Sequence, residues 1–284
     1  MNFELIDGMA ILWFVLITLS LAFVLSDIRK TPEVISLKWG FVILTLLTGP
    51  FGLFMYIISC REPLPNTHEQ YINTMWRQAV GSTMHCVVGD GIGIIAGAVI
   101  AGYFMLDTTS DLILEYFLGF GFGWSIFQAL AMKNMLGSYS AALKKTFYPE
   151  FVSMNMLVAV MFPWLMIVQK YIPEADEPTS IRFWFIVSFA VIWGFAAAYP
   201  LNWWLVKRHL KHGMFTIRAE GNESQHDDSS SSHSQSNHEG SSDGKHGGEE
   251  NESEKDTVSQ GVKLSIAIAT ILLMAAGITV GFTY

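Results

Sequence analysis

Along this chain, apolar and polar positions are segregated into long blocks. Seven apolar runs, at about residues 8–25, 41–59, 83–106, 112–132, 151–170, 183–206 and 264–282, approach the roughly 20 residues a helix needs to cross a hydrocarbon core. Pro163 and Pro200 interrupt the fifth and sixth runs, and proline is tolerated in membrane helices where neighbours satisfy the freed carbonyl. The pattern predicts an all-α, polytopic transmembrane helical bundle, with a six-helix core and one further C-terminal transmembrane helix. Between the second and third runs, "REPLPNTHEQYINTMWRQAVGS" is too polar to span, and Tyr71, Met75 and Trp76 mark a short helix lying at the interface. Residues 219–257 contain almost no apolar side chains. Such a segment cannot offset the entropy of its own ordering, which predicts a disordered His/Ser/acidic linker.

Four segments follow: an N-terminal helix and loop over 1–39, a membrane-embedded core over 40–214, the linker over 215–260 and the last helix over 261–284. Composition strengthens the membrane reading, because 51% of the 284 residues are hydrophobic and 15% charged, against roughly 25% charged in a soluble domain. The net charge of −8 mostly reflects the linker and gives no reason to expect a nucleic-acid partner. Cys60 and Cys86 alone do not make a disulfide framework. The acidic start, "MNFELIDG", lacks the positive charge of a secretory signal, so the first run reads as a retained helix.

Orientation is read from short loops, where lysine and arginine favour the cytoplasm. Seven crossings with the N-terminus inside put ten basic residues in the cytoplasm (Arg61, Arg77, Lys133, Lys144, Lys145, Lys207, Arg208, Lys211, Arg218 and Lys263). Five then lie outside: Arg29, Lys30, Lys38, Lys170 and Arg182. The tally favours a multi-pass cell-membrane protein with a cytoplasmic N-terminus and linker, but the three basic residues of the first loop oppose it.

Candidate chemistry gathers in "MHCVVGDGIGIIAGA", residues 84–98. His85, Gly89, Gly93 and Gly97 recur every fourth residue and share one stripe, where glycine lets another helix approach closely. Cys86 and Asp90 share an adjacent stripe. An aspartate inside a bilayer is costly and usually meets a partner or lines a pathway. Thiolate, imidazole and thioether suit copper(I), and thiolate, imidazole and carboxylate suit zinc. The candidate metal set is His85, Cys86 and Asp90, with Met132, Met135 and Met154 as auxiliary sulfurs. The alternative is polar packing that pins helices together. Glu115 and Glu150 fall near predicted helix starts, where carboxylates are electrostatically favoured; a proton relay between Glu150 and Asp90 is the alternative, without support from their spacing. His226, His233, His238 and His246 of the linker make at most a weak metal sponge beside a solvated tether.

"TGPFGLFMYIISCREP", "MHCVVGD", "FQALAMKNM", "YPEFVSMNM" and "YPLNWWLVKRHLKHGM" occur in that order. The last four together resemble the bacterial and archaeal membrane family catalogued as domain of unknown function 4396, and the first resembles the stretch usually found upstream of that domain, so that the likeness covers about residues 40–214. That family tends to carry a second cysteine where Asp90 stands here, so a purely sulfur-based site is not expected. The resemblance implies fold and location rather than activity.

The reading is an integral membrane protein that binds or moves a transition metal, copper or zinc, with Asp90 a ligand or proton acceptor. No catalytic residues are assigned, and an enzyme is the less favoured class. Two rival classes are a membrane scaffold or assembly factor and an oxidoreductase with an embedded reactive cysteine. The expected partners are the lipid bilayer and a transition-metal ion, with a protein partner or homo-oligomer also open.

Overall fold

The computed structural model describes residues 5–133, 136–214 and 258–283. All regular elements among these residues are helices, without a strand. Six helices are long and apolar enough to cross a membrane: α1 (Leu5–Asp27), α5 (Met75–Phe104), α6 (Thr108–Gly121, continuing as a π-helix over Phe122–Leu130), α7 (Tyr139–Tyr171), α8 (Ile181–Lys207) and α9 (Gln260–Thr283). They make this a membrane protein. Two shorter apolar helices, α2 (Ile35–Thr48) and α3 (Pro50–Ser59), precede the five-residue α4 (His68–Ile72). α5 is the central helix: 67% of its apolar window is buried, against 22% for α1 and 11% for α9, whose exposed leucines and isoleucines face outward.

The second predicted crossing, 41–59, is corrected by α2 and α3. A single helix would separate Thr45 from Gly52 by about 10 Å. Instead, a Cβ on Gly52 would lie 2.5 Å from the Thr45 Cα, so the chain reverses between them. Gly49 makes the reversal at φ +54 and ψ −118, a backbone state that L side chains rarely adopt, and Pro50 starts α3 where its missing N–H costs nothing. The two ends of the pair meet again: Thr31 Oγ1 lies 3.0 Å from the Tyr56 hydroxyl, which donates to Asp27 Oδ2 at 2.9 Å. α2–α3 is therefore a re-entrant hairpin. Its tip reaches Ile17 midway along α1 and, through Leu47, Gly91 midway along α5. Non-helical backbone at that depth is tolerated because protein surrounds it. The carbonyls ending α3 are satisfied by Tyr71, which donates to Ile58 O at 2.8 Å, and by Arg77, at 3.0 Å to the same oxygen.

The hairpin changes the parity of everything after it. α1 and α8 run parallel, tied by the Arg182–Asp7 pair at 2.8 Å and by Trp13 against Phe189. α9 runs parallel to α7, joined by the Tyr148 hydroxyl to Lys263 O at 2.9 Å and Asn155 to Thr270 at 3.3 Å. Pro163 frees the carbonyl of Ala159, and a Cβ on Gly277 of α9 would meet that oxygen at 2.2 Å, so the glycine lets α9 cover the freed group. The first loop thus lies on the same face as the loops after α3, α6 and α8, and α1 begins at the opposite face. The expected joint placement of the N-terminus and the linker flanks on one face does not hold. The boundary expected between residues 39 and 40 falls within α2.

Candidate functional site

α5 carries His85, Cys86 and Asp90 through the middle of the bundle, all buried. The glycine stripe beneath them lies against α6: a Cβ on Gly89 would meet the Gly123 Cα at 2.6 Å, one on Gly93 the Leu118 carbonyl at 2.3 Å, and one on Gly97 the Glu115 Cα at 2.8 Å. This close approach puts the π-helical stretch opposite Asp90. A Cβ on Gly123 would fall 2.0 Å from Asp90 Oδ1 and 2.9 Å from Glu150 Oε1. Two carboxylates from different helices therefore converge on one bare Cα. π-helical insertions within α-helices are frequent at functional sites.

Glu150 does not sit at a helix start, as the sequence pattern suggests. α7 begins at Tyr139, so Glu150 is three turns in and fully buried. The Cys86 thiol donates to its Oε2 at 3.0 Å. Lys211 Nζ donates to the same oxygen at 3.1 Å, to the Cys86 sulfur, and to Ser153 Oγ at 3.3 Å. Ser153 in turn donates to Asn202 Oδ1 at 3.0 Å. Lys211 reaches this position because the chain reverses after α8. His209 adopts φ 54, and Met214 N then bonds to Gln78 Oε1 at 2.9 Å. Burial disfavours the Lys211 charge, but the Glu150 carboxylate at 3.1 Å opposes it and holds the ammonium above the ordinary lysine range.

The structure brings together Cys86 and Asp90 from the sequence-derived set and adds Glu150, whose relay with Asp90 the spacing did not support, and Lys211, which the sequence did not single out. His85 is close enough for the charges of Glu150 and Lys211 to act on it. Met154 approaches Gly119, beside the Asp90 main-chain oxygen. Met132 belongs to a separate small cluster with Ala129 and Ala142. Met135 and the four linker histidines lie outside the described residues. Neither cysteine is in a disulfide. Among the described residues, His85 Nδ1, both Asp90 oxygens and Glu150 Oε1 have no hydrogen-bond partner.

Openings approach the cluster from both ends. On the face where α5 ends, a cavity of about 480 Å³ is lined by Asp111, Glu115, Gln169 and Lys170. Glu115 sits at the level of Gly97, about 10 Å along α5 from Asp90. Between them, Tyr116 donates to Asn155 Oδ1 at 2.8 Å. On the hairpin face, a crevice of about 10 Å³ is lined by Gln128, Met132, Thr146 and Lys211, room for about one water.

One comparison with known proteins bears on this cluster. Residues 75–211 match the family model described as Domain of unknown function (DUF4396). The matched segment runs from the first turn of α5 to Lys211, so the domain contains the whole Cys86–Asp90–Glu150–Lys211 cluster. The hairpin and α9 lie outside it, the hairpin just upstream of the matched segment as its sequence suggested. Comparison with curated proteins and with solved structures gives no match.

Proposed function

We propose that this protein moves a cation through its helix bundle, exchanging it for a proton at the Asp90–Glu150 pair. The carrying observation is a charge count: two buried carboxylates face one buried ammonium, and both oxygens of Asp90 have no hydrogen-bond partner among the described residues. An unneutralised charge in a low-dielectric interior is expensive, so the surplus is met by a proton or a cation. Lys211 is the tethered counter-charge of Glu150, and Asp90 is the exchanging group. The cavity lined by Glu115 and Asp111 supplies one approach, and the crevice at Lys211 the other.

The cation of this proposal is a transition metal, copper or zinc. Alkali and alkaline-earth ions favour all-oxygen surroundings, whereas thiol and imidazole beside carboxylates suit softer ions. Cys86 supplies the thiol, bonded to Glu150, and His85 on the same turn of α5 supplies the imidazole. The face bearing the hairpin is assigned to the cytoplasm. Arg218 lies outside the described residues; without it, and with Arg29, Lys30 and Lys38 added, twelve described basic residues fall at that face against Lys170 and Arg182 at the other. The first-loop discrepancy in the basic-residue tally disappears, and the N-terminal end of α1 is assigned to the outside.

The test is uptake into proteoliposomes offered copper(I), zinc or potassium, with internal metal measured by elemental mass spectrometry. Uptake of a transition metal above protein-free vesicles, lost in Asp90→Asn, is the expected result. Equal uptake of all three ions, or none of any, contradicts the proposal.

A further inference from the structure

Away from the domain, three ligand-type side chains meet where the two ends of the hairpin close. Glu33 precedes α2, Cys60 ends α3 and His68 begins α4, and all three are buried, the cysteine and histidine completely. Their ligand atoms lie within 4.8 Å of one another, and His68 Nε2 is 3.6 Å from Glu33 Oε2. Among the described residues this is the one His/Cys/Asp/Glu trio so gathered. Zinc bonds of roughly 2.0–2.3 Å in tetrahedral geometry place neighbouring ligand atoms about 3.3–3.7 Å apart, so little movement would close this set on an ion.

We propose that Glu33, Cys60 and His68 form a second metal site, taking zinc or a chemically similar divalent ion, that clamps the hairpin shut. The donor set is one carboxylate, one thiolate and one imidazole, a combination zinc accepts, with the fourth position left to water. The surroundings hold the ligands in place. Glu62 Oε1 accepts from Thr67 N at 2.6 Å and His68 N at 3.2 Å, which fixes the backbone on which His68 sits. The Tyr56–Asp27 bond at 2.9 Å holds the turn of α3 ahead of Cys60 against the end of α1. A metal here ties the segment before α2 to the end of α3 and the start of α4, and its loss would free the hairpin whose tip rests beside α5. The site shares no residue with the Asp90–Glu150 pair and does not depend on it.

The test uses the full chain, untagged, in mild detergent. Zinc is counted by elemental mass spectrometry after washing, and cobalt(II) is loaded to read thiolate ligation by its charge-transfer absorption. The expected result is one tightly held zinc in wild type, kept in His85→Ala/Cys86→Ser and lost in Cys60→Ser. The cobalt band should persist in His85→Ala/Cys86→Ser, where Cys60 is the only remaining thiol. That variant also answers the question should Cys60→Ser fail to fold, because a band there can come from no other residue. Zinc retained in Cys60→Ser, as linker histidines alone would give, overturns the proposal. So does a wild-type protein that takes up no zinc, or a cobalt complex without a thiolate band. A wild-type protein that holds this zinc but takes up no metal into proteoliposomes would contradict only the cation-exchange reading.

Discussion

Replacing Lys211 by methionine isolates the buried ion pair. The Lys211 side chain is 1% exposed and that of Glu150 0%, at 3.1 Å, so water screens this pair little. Methionine keeps most of the volume and removes the charge. Cys86, Glu150 and Ser153 each lose a donor, and Glu150 and Asp90 are left facing each other with no counter-charge. Breaking a buried pair from one side costs about 3–5 kcal/mol. At 1.4 kcal/mol per factor of ten, that is roughly a 100- to 4,000-fold loss in the folded-to-unfolded ratio. Adding Glu150→Gln removes the stranded charge, so the double variant should recover at least about 2 kcal/mol relative to the sum of the single changes. The assay is equilibrium unfolding in mixed micelles, followed by tryptophan fluorescence, for wild type, both single variants and the double. A single-variant cost below about 1 kcal/mol, the range of an exposed pair, would mean that Lys211 and Glu150 are not a buried ion pair. Simple additivity of the two changes would mean the same.

Other outcomes follow from the same contacts. Gly123→Ala puts a methyl 2.0 Å from Asp90 Oδ1; transport should fall at least tenfold, with a stability cost of about 1–3 kcal/mol, whereas Gly121→Ala, with nothing within 4 Å, should leave both near wild type. Gly93→Ala forces its methyl on the Leu118 carbonyl at 2.3 Å and should destabilise by about 1–3 kcal/mol in the same unfolding assay. Arg29→Cys and Pro65→Cys, both exposed, should react with an impermeant maleimide from the same side of the membrane, opposite to Glu177→Cys. Labelling of residues 29 and 65 from opposite sides would turn the hairpin back into a crossing.

Much of the architecture was legible from hydropathy. Six apolar runs became long helices, because length and composition determine a membrane span almost by themselves. Spacing by four placed Gly89, Gly93 and Gly97 on a stripe that α6 meets directly. The hairpin escaped because the nineteen-residue, mostly apolar run at 41–59 satisfies the length rule whether or not the chain reverses. Its local signal was the Gly49–Pro50 step, which a continuous membrane helix can also tolerate. Lys211 read as one more charge in "KRHLKHG", and only the left-handed turn at His209 returns it to the bundle. Glu150 was misplaced because the polar "YSAALKKTFYPE" hides the first three turns of α7. Glu33, Cys60 and His68 have no motif spacing, since tertiary closure alone brings them together.

The cation-exchange claim is tested most directly by proton movement in sealed proteoliposomes carrying an internal pH indicator. An inward gradient of the transported metal is imposed with the membrane potential clamped, for wild type and Asp90→Asn. Proton efflux is expected in wild type, in fixed proportion to metal taken up, and neither flux in Asp90→Asn. Metal uptake without proton movement, or equal fluxes in the two proteins, would contradict it.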